Sequence, residues 1–205
     1  MVRGLDHAEH AALVICECQR GVLDPSMAIF PGLAQQAEER GMLANIARLA
    51  SAFRAAGLPV AHVHVAHRPD LGGVVANSVV AARTLKSGSM RAGSPEVEPM
   101  EGAVPEPSDY VSSRHSGLGM WYGTNLDATL RNLRVETIVL SGVSTNIAMF
   151  AGALGAVDRG YKAVLAEDAT AGAAADLHDW MITNTLPILA TISTVDEIIT
   201  ELASR

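Results

Sequence analysis

At 205 residues the chain is long enough for one domain with a substantial core, and 49% hydrophobic residues describe a globular protein. A net charge of −7 argues against nucleic acid or an anionic membrane surface as the main partner. No apolar run approaches the roughly 20 residues that span a bilayer; Ala11–Cys16, preceded by His7, Glu9 and His10, is too short for a signal peptide; and Cys16 and Cys18, two positions apart, cannot pair within one strand, so a reducing cytoplasm is the expected compartment.

The chain alternates strand and helix. Ala11–Cys18 (AALVICEC) reads as a buried strand running out into Glu17, Cys18 and Gln19. The loop Arg20–Gly32 carries the turn residues Gly21, Asp24-Pro25 and Pro31. A helix is expected from about Gln35 to Ala56, with Leu43, Ile46, Leu49, Ala50 and Phe53 on one stripe and Gly57 and Pro59 ending it. Leu58–Val65 is a second strand in which His62 and His64 share a face.

From about residue 67 to 108 the pattern dissolves into a long insertion over the sheet edge, with a short helix expected around Val74–Leu85. Four prolines and four glutamates follow that helix; Glu96, Glu98, Glu101 and Glu106 read as a solvated face. Asp109–Ser113 is a third strand and Asn125–Leu133 a helix. The run Thr137–Leu140 is short, apolar and rich in β-branched residues, as befits a strand buried on both faces. Gly142 stops it, and Ser144, Thr145 and Asn146 are helix-cap candidates ahead of a small-residue helix in which Gly152 and Gly155 allow close packing. Tyr161–Glu167 is a fifth strand, Ala174–Leu189 a helix that Pro187 ends or kinks, Thr191–Thr194 an edge strand and Val195–Ala203 a terminal helix. This alternation implies an α/β fold: three layers, α/β/α, around a mainly parallel, roughly six-stranded sheet, all in a single domain spanning residues 1–205. Strand, tight turn and helix N-terminus at 137–157 form the arrangement at which open α/β sheets bind ligands and anions.

Three stretches resemble the isochorismatase-like hydrolases, also called cysteine hydrolases. ALVICECQRG is similar to that family's apolar strand ending in an acid, any residue and Gln. RHSGLGMWYGTNLDATLRNL resembles its basic residue, aromatic loop and Gly-Thr-x-Leu before a helix. LSGVSTNIAMFAGALGAVDRGYKAVLAEDATAG resembles its Gly-Val-x-Thr-x-x-Cys, small-residue helix, Arg-Gly-Tyr and strand ending in Asp-Ala. The amidases of that family use an Asp, a Lys and a nucleophilic Cys. Here the matching positions hold Glu17, Arg114 (with His115 as a second candidate, because the spacing to Gly123 is one residue longer) and Ala148. All three differ, which a single engineered Cys-to-Ala change would not produce. The resemblance also implies a non-proline cis peptide after Val143.

Alanine has no nucleophile, so a thioester route does not carry over. On strand alternation the thiols of Cys16 and Cys18 face away from the Glu17 carboxylate and belong to the core. Neither Lys86 nor Lys162 occupies the lysine position. Arginine stays charged, so Arg114 can hold an anion or orient Glu17 but cannot titrate. Glu17 is either a satisfied core carboxylate paired with Arg114 or the group that moves protons. Substrate binding is assigned to Gln19, His115, Trp121 and Tyr122, and to Val143, Ser144 and Thr145 at the turn; core packing is an even alternative for the aromatics, and helix capping is the simpler role for the hydroxyls. His62, His64 and His67 lack the Asp-x-His arrangement of zinc-binding relatives, so no metal and no cofactor is expected. Three readings follow: a small-molecule hydrolase without a cysteine nucleophile, a silent member that binds a small molecule or partner, and an engineered inactive variant. A homo-oligomer is expected.

Overall fold

The computed structural model describes residues 2–6 and 8–204; His7, used above in reading the N-terminus, lies outside them, as do Met1 and Arg205. The elements are β1 (Ala11–Cys16), α1 (Arg20–Leu23), α2 (Pro31–Glu39), α3 (Met42–Ala55), β2 (Val60–Val65), α4 (Val79–Ser87) and β3 (Tyr110–Arg114), then α5 (Leu126–Asn132), β4 (Thr137–Val143), α6 (Phe150–Asp158), β5 (Lys162–Ala171), α7 (Ala175–Trp180), β6 (Thr191–Ser193) and α8 (Val195–Ala203). The sheet has six strands in the order β3-β2-β1-β4-β5-β6, and every pairing is parallel. Every residue of β1 and β4 is buried.

Two apolar layers cover the sheet. On one face Leu13, Ile15 and Val139 meet Leu33 of α2, Ile46, Leu49 and Phe53 of α3, and Ile198 of α8. On the other, Ala12, Val14, Ile138 and Leu140 meet Leu126 and Leu130 of α5 and Ala153 and Ala156 of α6. Each fully buried large side chain contributes about 1.5–3 kcal/mol, so the layers hold the two central strands from both sides. The chain winds outward from β1 through β2 to β3 and returns to the other side of β1 at β4. The direction of winding therefore reverses between β1 and β4, where open α/β sheets place their ligands.

Several elements differ from the expected ones. The long helix 35–56 is two helices, because Gly41 takes a left-handed φ of +61° between them; the first begins on Pro31, a residue suited to an N-terminal turn. The helix around 74–85 lies later, at Val79–Ser87, where the Ser78 hydroxyl accepts from Ala81 N. β5 runs on to Ala171 across a register shift opposite Leu140 and Gly142. The helix 174–189 is α7, a π-helical turn at Met181–Thr185 and a 3-10 turn at Leu186–Ile188 containing Pro187. Gly155 in α6 makes room less for the sheet than for Trp121: a Cβ there would lie 2.3 Å from the indole Cδ1.

Candidate active site

β1 ends at Cys16, and Glu17 takes a left-handed φ of +55°, with its N–H donating to Val63 O at 2.9 Å. That turn breaks strand alternation, which corrects the expectation for the two thiols. Cys16 packs in the α5/α6 layer with its Sγ 3.8 Å from Glu17 Oε1, while Cys18 packs in the opposite layer with its Sγ 3.6 Å from Cys16 O. Burial first, and the Glu17 charge second, push both thiols up, so neither is a thiolate at neutral pH.

Arg114 is the last residue of β3, aligned with Val65, and it reaches across the end of β2 to Glu17. Its Nη2 lies 2.5 Å from Glu17 Oε1; the side chains are 3% and 16% exposed. Its Nε donates to Gly117 O at 3.1 Å, while Nη1 is buried without a hydrogen-bond partner. His115, the second candidate for the basic position, is exposed and directs Nδ1 to Ala66 O at 2.6 Å.

On the next strand, Cys16 is in register with Gly142, so Glu17 and the Val143–Ser144 peptide leave neighbouring strands at the same sheet edge. That peptide is cis. A π-helical turn, Thr145–Met149, then carries buried Ala148 into α6. Ser144 stands at the N-cap, but its hydroxyl caps nothing, and Thr145 Oγ1 goes instead to His178 Nδ1 at 2.8 Å.

The other assigned binding residues have clear places. Gln19 is buried and fully engaged: its Nε2 donates to Val65 O and Val97 O at 2.9 and 2.8 Å, and its Oε1 accepts from Val65 N at 2.7 Å. It braces the end of β2 and the turn 95–97 beside Glu17. Trp121 donates Nε1–H to Gly152 O and stacks on Tyr161 with centroids 5.9 Å apart, which sets it against α6 rather than with Glu17 and Arg114. Tyr122 is 67% exposed and covers Gly117, whose carbonyl holds Arg114. Sequence reasoning missed Gly117 and His178 and saw in Asn146 only a helix cap, whereas its Oδ1 is buried without a partner; only side-chain placement reveals this.

The histidines of β2 are engaged elsewhere. His62 Nε2 lies 3.0 Å from Asp109 Oδ2, which Arg54 also holds, and His64 packs edge-on against His62. His67 donates Nδ1–H to His115 O at 2.8 Å. Among the described residues no three His, Cys, Asp or Glu side chains converge as a metal site. Among the described residues no helix is long and apolar enough to cross a membrane.

Burial lowers His178 to about 4, and Arg40 adds to the effect; burial, helped by His62, lowers His64 to about 4 as well. Between pH 6.5 and 4 the unfolded chain binds protons that these rings refuse in the fold. Stability should therefore fall as pH drops through that window, with the full penalty below pH 4. For the buried His178 it approaches about 3 kcal/mol. Urea midpoints at pH 7, 5.5 and 4.5 should decline in that order, and His178→Asn should flatten the decline; an unchanged slope would refute it.

The model of the Isochorismatase domain matches residues 11–197. An uncharacterized isochorismatase family protein, YecD, of Escherichia coli O157:H7 is 32% identical over 96% of this chain and 98% of its own. The ureidoacrylate amidohydrolase RutB of Variovorax paradoxus is 28% identical over 96% of this chain and 83% of its own. The crystal structure of a cysteine hydrolase from Pseudomonas syringae pv. phaseolicola superposes with a TM-score of 0.87 at 23% identity, over 100% of this chain and 97% of that one. With the six-stranded parallel sheet, this match over nearly the whole chain makes the protein a hydrolase of the isochorismatase family.

Proposed function

We propose that the protein hydrolyses a small anionic molecule without a cysteine nucleophile, using Glu17 for proton transfer. Arg114 Nη1 supports this reading above all: it is a buried charged donor left open while Nη2 and Nε are held by Glu17 and Gly117. A substrate carboxylate satisfies it with a charge-assisted hydrogen bond. Ile147 N and Met149 N donate to Ser144 O, and the other first N–H groups of this turn are the ones placed to meet developing negative charge. On an amide or ester, Glu17 takes a proton from water as the water oxygen bonds to the carbonyl carbon. The proton then passes to the leaving nitrogen or oxygen as its bond to carbon breaks. On an enol ether, Glu17 protonates the double bond, water adds to the resulting cation and returns a proton to the Glu17 carboxylate, and the adduct splits into a carbonyl and an alcohol. The name of the RutB relative, a ureidoacrylate amidohydrolase, describes an amide-type substrate that bears a carboxylate, consistent with the first route.

Ala148 favours a second reading, a silent member that retains a small ligand. Purified protein should turn over carboxylate-bearing amides, esters or enol ethers, and Ala148→Cys should raise amidase activity by restoring a thiol beside the helix N-terminus. Native mass spectrometry showing a retained small molecule, with no turnover of any such substrate, would support the silent reading instead.

A further inference from the structure

The turn that carries Ala148 is tied to the rest of the molecule by a contact the hydrolytic scheme does not use. Thr145 is 0% and His178 2% exposed, and their hydrogen bond joins residues 33 apart, one opening the turn and one on α7. The other hydrogen bonds of the turn are local: Ile147 N and Met149 N both donate to Ser144 O, at 3.3 and 3.0 Å. Among the described residues no other side chain between 143 and 149 makes a hydrogen bond, and Asn146 Oδ1 is buried without one.

His178 also borders a cleft of about 300 Å³ lined largely by charged residues. The charged groups there are Arg40 between α2 and α3, Glu167 and Asp168 on β5, and Asp179 on α7. Arg40 Nη2 holds Asp179 Oδ1 at 3.0 Å and Asp168 Oδ1 accepts from Val195 N at 2.8 Å, so these three groups are engaged with one another or with α8, while Nδ1 is engaged by Thr145. A buried hydroxyl stripped of its partner costs about 1–3 kcal/mol, which makes the pair a strong restraint on the residue it anchors.

We propose that His178 is a positioning residue: through Thr145 it fixes the first turn of the helix after Ser144, and with it the backbone N–H groups beside Ala148. The inference takes that turn as part of the site, as the proposed function does, but needs no turnover to be tested.

Amide hydrogen exchange of the purified protein gives the test. Thr145→Val, which keeps volume and loses the hydroxyl, and His178→Phe, which keeps a ring and loses Nδ1, should each speed exchange at residues 146–149 about tenfold, the scale of one lost hydrogen bond. The β1 amides Leu13–Ile15 should keep their protection. The double variant should exchange no faster than either single one, because both remove the same bond. Thr145→Ser and His178→Asn, whose amide places a polar atom where Nδ1 stands, should restore slow exchange. Unchanged exchange at 146–149, equal acceleration there and in β1, additive effects, or no rescue would each overturn the proposal. If His178→Phe does not fold, Thr145→Val and Thr145→Ser decide alone. A failure here with turnover intact leaves the hydrolase reading standing, so the two are told apart.

Discussion

Glu17→Gln should lower turnover at least about 10²-fold, the low end for a lost general acid or base. The amide keeps the size of the carboxyl group and a hydrogen-bond acceptor for Arg114, but it cannot take a proton from water or give one to an enol ether. No neighbour substitutes: Arg114 does not titrate, Ala148 carries no reactive atom, and burial holds the Cys16 thiol in its neutral form. The same change leaves the guanidinium without its counter-ion, and breaking a buried pair costs about 3–5 kcal/mol. Rates should therefore be compared where urea unfolding shows both proteins folded. Glu17→Asp, which keeps the charge, separates the two effects: it should recover stability and part of the rate. Full activity in folded Glu17→Gln would remove Glu17 from the chemistry.

Gly142→Ala should cost more than about 4 kcal/mol, among the larger effects of any single substitution. Gly142 sits at φ +99°, and an added Cβ would lie 2.2 Å from Cys16 O and 2.7 Å from Cys16 N. Those atoms are backbone of the neighbouring central strand and cannot swing away as a flexible side chain does. Gly160, at φ +81° with nothing within 4 Å of its added Cβ, isolates the conformational part. Gly160→Ala should cost about 1–2 kcal/mol. Urea midpoints measure both, and equal losses would show that the close approach of β4 to β1 carries no weight. A marginal domain with 5–15 kcal/mol of stability is pushed towards unfolding by the first change and not by the second.

What could be read from the residues alone was what local pattern encodes. Thr137–Leu140 announced a doubly buried strand because three of its four residues are β-branched and no charged residue interrupts it, and the alternation with helices then implied the parallel sheet. The pairing of Glu17 with Arg114 followed from motifs that put both at strand ends. The break at Gly41 was hidden because the helix-forming residues Gln35–Arg40 read as a continuation of α3, and one glycine costs a helix only about 1 kcal/mol. Both thiols are core groups as expected, but not on one face: alternation holds only while the strand continues, and Glu17 leaves it, so Cys16 meets the Glu17 carboxyl and Cys18 packs in the opposite layer. Thr145 looked like a cap because hydroxyls at a strand–helix turn usually are; its partner lies on an element 33 residues away, which no local pattern encodes.

The Glu17–Arg114 bridge joins parts of the sheet that differ in how easily they come loose. β1 is sealed between two strands, whereas β3 is an outermost strand with three of its five residues exposed. In the hierarchy of partial opening, sealed central strands part only when the whole molecule unfolds, while outer strands fray at far lower free energy. In the proposed mechanism the proton-handling half of the site is thus anchored in the last region to open and the charge-holding half in one of the first. Fraying of β3 would part the guanidinium from Glu17 while β1 stays paired, so amide exchange should be faster along β3 than along β1.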